Sequence, residues 1–551
     1  MFIRHRDFPS GILSGDDEPR GVVFENISIR EDTTVASTID SHDGSPGDPA
    51  FHIEQRGIDF VPVSERWATP RNIGALWAGS AINVEYFIYG ALLMGFGFSF
   101  YTALSIIIIG NLSFLLLGLA SLQGPETGTT AFTISRAPFG TQGSRLVSFF
   151  NWVTQLGFET EGLILIVGAT IVLFQMAGVH VSSPLKVVFI ILAAAIQAVM
   201  PYFGHATMVK VLRSLIIPFG AIFVLFAIYD FKHGSASFKG FGGGWELYTA
   251  GIAFTIALSG LGWTECGNDY TRYLPRNASK GSIVGWIFVS TAIPEIVMMV
   301  LGAATYTFLS DKAQSAAWNG ANPFEALHGQ SFIPSWVIVL FLLFAIVQLF
   351  GINSLDLYSS GVSLQAMGLR LKRYQAVILD SVLACGLTIY AEFQSTFSLY
   401  MKEFVGVIIV WIAPWFGIMI VDWLLRKYRY NAAELQRRDA GGLYYAGKSG
   451  VNWNGIIAFV VGLVCATLAF SKAPPPVNFP FHWMTPVSNH YGGACAGSLV
   501  HGACTAGWYG GADFSVPTGI IIAALVYFVL EKATGTVAKQ VQRQKELEPT
   551  I

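Results

Sequence analysis

"NIGALWAGSAINVEYFIYGALLMGFG", residues 72–97, is long and apolar enough to cross a bilayer, yet its middle holds Ser80, Asn83 and Glu85 among closely spaced small residues. A second stretch of the same kind, "YTAGIAFTIALSGLGWTECGNDYTRYLP" at 248–275, carries Ser259, Gly260, Gly262, Thr264 and Glu265 near its centre. Glycine lowers helix propensity by about 1 kcal/mol, and backbone groups freed at bilayer depth are tolerated only where protein or a cavity receives them. Both segments are expected to be helices interrupted near the midplane. The competing reading is that the glycines only let neighbouring helices pack closely. The carboxylate that accompanies each set of small residues favours interruption.

Outward from these two stretches the chain has the same character. Of 551 residues 53% are hydrophobic and 12% charged, and runs such as "ALSIIIIGNLSFLLLGLA" (103–120) and "SWVIVLFLLFAIVQLF" (335–350) are apolar on every face. Barrel strands would alternate, so the fold class is an all-α polytopic membrane protein. Hydrophobic segments fall at about 72–99, 101–122, 145–177, 185–203, 208–230, 247–271, 282–308, 335–367, 375–393, 397–425, 453–471 and 517–531, about twelve transmembrane helices. Interrupted helices 1 and 6, five apart, are what two inverted five-helix repeats predict, at 72–230 and 247–425, with two C-terminal helices at 453–531. The transporter domain so defined runs over 71–535. Residues 1–70 read as a disordered cytoplasmic tail without an h-region, 472–516 as an external loop, and 536–551 as a cytoplasmic tail.

Most of the 33 basic residues lie in the tail and in the connections after even-numbered helices. The positive-inside rule then places both termini in the cytoplasm of a plasma (inner) membrane protein. A net charge of −2 and the absence of a Lys/Arg-rich tract argue against nucleic acid as a partner. Five cysteines form no CxxC pair, and ten scattered histidines offer neither a metal site nor a nucleophile–base cluster. No metal, no cofactor and no enzymatic activity are expected, a membrane-embedded enzyme being the distant alternative. Cys495 and Cys504 are disulfide candidates if the outer compartment is oxidising.

The ordered strings "ALWAGSAINVEYFIYGALLMGFGFSFYTALSIIIIGN", "ISRAPFGTQGSRL", "GLGWTECGNDYTRYLP", "FGINSLDLYSSGVSLQAMG" and "WIAPWFGIMIVDWLLRK" resemble the nucleobase:cation symporter family, in particular its purine–cytosine permease branch. The resemblance covers roughly residues 50 to 535. It implies a twelve-helix transporter with five-plus-five inverted repeats that imports a planar heterocycle with Na⁺ or H⁺, the substrate lying between helices one, three, six and eight. Positions matching the family's substrate contacts are Phe158 and Gly162, the Gly260 to Trp263 stretch, and Asn353. Phe158 stands where members often carry Trp, and Gly162 where they carry an amide. Asn83 and Gln348 complete the expected substrate-binding set. Sodium-coupled members build the ion site from backbone carbonyls at positions matching Ala81 and Val84 with helix-eight hydroxyls; by ungapped matching those hydroxyl positions hold Val347 and Gln348. Val347 offers no oxygen, which disfavours sodium, while Gln348 could lend a carbonyl.

Within this setting the stretch "NWVTQLGFETEGLILIVGA" (151–169) places Glu159 and Glu161 in the third helix. An acidic residue at the centre of an inserted helix costs about 2.5–3.5 kcal/mol, so these carboxylates and Glu85, Glu265 and Glu295 must face protein or a cavity, or carry a proton. A carboxyl deprived of water favours its neutral form, which suits a proton carrier. On an ideal helix Glu159 is ~200° round from Glu161. Glu161, beside Phe158, is the expected substrate-facing group, and Glu159 is left for a polar contact with another helix or for proton transfer. Either form of a carboxyl fits a purine or cytosine edge, with Phe158 and Trp263 as stacking faces. Glu85 and Glu265 are the expected coupling-proton sites, against a structural role in capping freed N–H groups. Asp269 and Arg272, one turn apart, read as an interfacial ion pair or gate brace; Asp356 and Tyr358 are weaker candidates. The expected function is proton-coupled import of a purine- or cytosine-type nucleobase by alternating access. The alternative is uptake of a vitamin-like heterocycle of thiamine or pyridoxine type.

Overall fold

Thr69 and Asn72 open the first helix as a reciprocal cap: the Thr69 hydroxyl accepts from the Asn72 N–H at 3.2 Å and the Asn72 carbonyl from the Thr69 N–H at 3.1 Å. The computed structural model describes residues 57–233, 244–314, 322–394, 397–470 and 512–547, together with strands Ala494–Ala496 and Ala503–Thr505. The helices are α1 (Pro70–Ala81), α2 (Val84–Met94), α3 (Phe100–Asn111), α4 (Phe114–Ala120), α5 (Ser144–Met176), α6 (Ser183–Gln197) and α7 (His205–His233). They continue as α8 (Trp245–Leu258), α9 (Gly267–Thr271), α10 (Lys280–Phe308), α11 (Ser335–Ala366), α12 (Arg373–Gln394) and α13 (Phe397–Leu425). The last are α14 (Trp453–Leu468), α15 (Ser515–Thr534) and α16 (Thr536–Leu547).

Among the described residues nine helical stretches are long and apolar enough to cross a membrane, and three shorter apolar helices stand beside them. All fall on the segments read from the sequence. The first segment is broken between Ala81 and Val84, and the sixth between Leu258 and Gly267, where turns replace helix. Interruption, not packing alone, is the outcome at both.

The two longest helices, α5 with 33 residues and α11 with 32, run along each other through the middle of the bundle. Their inward polar residues explain why apolarity alone misreads them. On α5, Thr154, Gln155, Glu159, Thr160 and Glu161 are all buried. By contrast α7 turns Ile217 (82% exposed), Val224, Ile228 and Phe231 outward in one helical stripe, the signature of a lipid-facing side. The last two spans, α14 and α15, pack on α13, where Asp422 accepts from Arg426 at 2.8 Å, from Tyr430 at 3.1 Å and from Tyr527 of α15 at 2.7 Å.

Two boundaries differ from expectation. The polar N-terminal segment is folded from Gly57 onward: Ile58 and Val61 are buried, the Val61 N–H donates to the Gly128 carbonyl at 2.9 Å, and Arg66 reaches the carbonyls of Val61 and Pro125. A few apolar residues in "GIDFVPV" are enough to seat it on the bundle end. Beyond α15, the stretch expected as a tail is the helix α16, anchored by the Val537 N–H on Glu531 at 3.0 Å and by Gln540 on the Leu443 carbonyl. Residues 1–56 and most of the 472–516 loop lie outside the described residues. The loop's two strands pair antiparallel with Cys495 opposite Cys504 in the backbone register.

Candidate functional site

The two broken segments meet directly, through Trp263 on Trp77 and Tyr86, and side chains from neighbouring segments receive the N–H groups the breaks free. At the first, Asn83 is extended and caps α2: its carbonyl accepts the Glu85 N–H at 3.0 Å and its amide donates to the Glu85 carboxyl at 3.2 Å. The Val84 N–H donates to Gln348 of α11 at 2.9 Å. Asn83 and Gln348, expected to bind substrate, are thus found holding the break. With the Glu85 N–H turned to Asn83, the Ala81 carbonyl loses the donor that a continuous helix would supply.

At the second break the Gly260 N–H donates to Ser113, in the kink between α3 and α4, at 3.0 Å. A Cβ on Gly260 would lie 2.1 Å from the Ser113–Phe114 backbone, so no side chain fits there. Gly260 is a packing point against the second span, not an open backbone surface for substrate. Ser259 donates a short hydrogen bond to Glu295 of α10, and Glu265 accepts from Gln155 of α5 at 2.7 Å. Glu295, visible in the sequence only as a costly carboxylate, is the group that ties this break to the seventh span.

Between the breaks lie two parallel rings. Phe158 of α5 and Trp263 are stacked with planes 10° apart and centroids 6.1 Å apart. Trp263 is held edge-on by Trp77 at 5.5 Å, and its indole N–H donates to the Tyr86 hydroxyl at 3.0 Å. Phe404 packs edge-on against Phe158 at 4.8 Å. Glu161 accepts from the Tyr89 hydroxyl at 2.7 Å. Tyr86 and Tyr89 were missed at the level of sequence, although "VEYFIYG" places them on α2 beside Glu85 with the i, i+3 spacing of one face.

Asp356 of α11, a minor candidate from the sequence, is central in space. It lies within Coulombic range of Glu85, Glu159, Glu161 and Glu265. Its Oδ1 and the second oxygens of Glu161 and Glu265 meet no protein donor, and among the described residues no Lys, Arg or His bonds to any of these carboxyls. Glu159 is turned the other way, against Ser360 and towards Asp380 of α12, which accepts from Ser360 at 2.6 Å and Trp152 at 2.9 Å.

Asn353 departs from its expected role. Its amide donates to the Glu159 carbonyl at 3.2 Å and to Gln197 of α6 at 2.9 Å, so the bidentate contact with a substrate edge is not available in this arrangement. Gly162 explains the fit: a Cβ there would lie 1.9 Å from the Asn353 carbonyl oxygen. Val347, used above to disfavour sodium, is 49% exposed on the outer side of α11 and does not face the first break. Val347 therefore has no bearing on a sodium site at that break. Asp269 and Arg272 brace different partners. Asp269 accepts from the Ala131 N–H at 3.1 Å and from Ser359 at 2.7 Å, whereas Arg272 donates to the Gly57 carbonyl at 2.6 Å and to Tyr358 at 2.7 Å.

A family profile described as permease for cytosine/purines, uracil, thiamine, allantoin matches residues 60–495. The chain belongs to this family of permeases. The permease is 25% identical over 486 residues to the putative purine-cytosine permease YxlA of Bacillus subtilis, covering 87% of this chain and 96% of that one. It is 26% identical over 413 residues to the purine-cytosine permease FCY21 of Saccharomyces cerevisiae, covering 70% and 74% respectively. Its fold is that of Mhp1, a nucleobase-cation-symport-1 family transporter, in a closed conformation with bromovinylhydantoin bound. There the TM-score is 0.62 at 19% identity over 88% of this chain and 96% of the other. The inward-facing conformation of Mhp1 gives 0.61 at 18% identity, covering 90% and 99%. The permease is accordingly a multi-pass membrane transporter of nucleobase-like substrates.

Proposed function

We propose that this permease imports a purine- or cytosine-type nucleobase together with a proton, by alternating access across the plasma membrane, with both termini in the cytoplasm and the two halves related as inverted repeats. The observation that carries the reading is the parallel pair Phe158 and Trp263 with Glu161 beside it. Each ring offers a stacking face to a flat heterocycle once the pair parts from its 6.1 Å separation, and a carboxyl held by Tyr89 meets its alternating donors and acceptors. Proton coupling rests on the cluster of Glu85, Glu161, Glu265 and Asp356, which has no basic partner among the described residues. Like charges this close in apolar surroundings do not all stay ionised, so the cluster holds protons and releases one as the site changes its exposure. The carbonyls of Ala81 and Val84 remain the candidate site for a sodium ion, should one be the coupling cation.

The same acidity favours a second reading, a cationic vitamin-like heterocycle of thiamine or pyridoxine type, with a carboxylate as direct counter-ion. Uptake into liposomes by the purified permease separates the two. We expect adenine, guanine, hypoxanthine or cytosine to accumulate under an imposed pH gradient without Na⁺, and Glu85→Gln or Glu265→Gln to lose that accumulation while retaining exchange. Accumulation with a Na⁺ gradient alone, or undiminished in both variants, overturns proton coupling; uptake of thiamine in place of nucleobases selects the second reading.

A further inference from the structure

Away from the carboxyl cluster, an open cavity of about 660 Å³ lies at the bundle end that the positive-inside reading assigns to the cytoplasm. Arg276, Lys280, Lys427 and Arg429 line it, against a single carboxyl, Glu126, which already accepts the Tyr430 N–H at 3.2 Å. The basic residues come from two separate places, the connection leading into α10 and the chain leaving α13. They are brought together by an unusual backbone. Lys427 and Tyr428 both take left-handed conformations, with φ of 55° and 65°, positions that favour glycine. The turn they make sends the Tyr428 N–H back to the Trp423 carbonyl at 2.8 Å and swings Lys427 and Arg429 to the cavity rim. Strain of this sort persists where its surroundings enforce it and gathers at ligand clamps.

The remaining walls are those of a membrane interface. Lys280 sits over the rings of Trp423 at 5.8 Å and Tyr428 at 5.4 Å, and Leu122 and Ile283 supply apolar surface. The indole of Trp423, a buried wall residue, lies against the Glu126 carboxyl. Four cations and an aromatic–aliphatic wall suit a phosphate group with a hydrocarbon tail. We infer that this cavity binds the phosphate-bearing headgroup of an anionic phospholipid from the cytoplasmic leaflet. Such a lipid would clamp the start of α10 to the end of α13.

The test uses the full chain in nanodiscs of phosphatidylcholine mixed with phosphatidylglycerol, with the lipids it retains read by native mass spectrometry. Wild type is expected to retain phosphatidylglycerol preferentially. Arg276→Gln/Lys427→Gln should lose that preference by about fivefold per charge removed, whereas Arg370→Gln/Lys372→Gln, an equal loss of charge elsewhere on the surface, should keep it. No preference in wild type, or equal loss in both double variants, overturns the proposal. Displacement of the lipid by millimolar inorganic phosphate reassigns the cavity to a soluble anion and overturns it too.

Discussion

Glu161 and Phe158 lie one turn apart on α5, and the fold commits each to one role. The Glu161 carboxyl is fixed by Tyr89, while the Phe158 ring is fixed by Phe404 and lies parallel to Trp263. Stacking of a base on an aromatic ring contributes about 1–3 kcal/mol, so Phe158→Ala should weaken substrate binding by about 5- to 150-fold. Phe158→Trp should be tolerated, since it keeps the stacking face. Equilibrium binding of the transported base to the purified variants, with their thermal unfolding measured alongside, separates loss of the face from loss of the fold. Glu159, only two residues from Glu161, belongs to a different neighbourhood with Ser360 and Asp380. The ~200° helical offset made that separation legible from sequence. What sequence could not show was Asp356 at the centre of the cluster, because its importance comes from three carboxyls, Glu85, Glu161 and Glu265, that other segments bring to it.

At the scale of elements, the breaks in the first and sixth spans were legible because small residues and a carboxylate coincide in each. The partners of the freed N–H groups were not. Asn83, Gln348 and Gly260 carry the chemistry expected of substrate ligands, yet the Asn83 side chain, the Gln348 carbonyl and the Gly260 N–H are engaged in holding the breaks. An amide at bilayer depth has the same appearance in sequence whether it serves a ligand or a neighbouring helix. Asn353 is the clearest case, since it joins α11 to α5 and α6. Gly162→Ala should therefore destabilise the protein, because the new methyl group overlaps the Asn353 amide. The same change in an Asn353→Ala background should cost much less, giving a coupling energy of about 0.5–3 kcal/mol in a double-mutant cycle read by thermal unfolding in detergent. Additive effects would mean that the two residues do not share this contact.

The whole molecule is tied together by polar groups buried where lipid or protein surrounds them. Asp422 and Arg426 on and just after α13, with Tyr527 on α15, join the two C-terminal spans to the rest. Asp422→Asn should lower stability by about 3–5 kcal/mol, because a buried guanidinium loses its counter-charge, and Asp422→Asn/Arg426→Met should recover part of it. Thermal inactivation of the purified protein reads both. The hydrogen bond from the Val84 N–H to Gln348 has a bearing on motion as well as on structure. A helix whose first donor is gripped by a side chain of another helix is latched, not hinged. For α2 to swing away from α11, that bond must open first, which sets a threshold of roughly 0.5–1.5 kcal/mol before any substrate contact changes. Gln348 therefore fastens the start of α2 to α11 for as long as that bond is made.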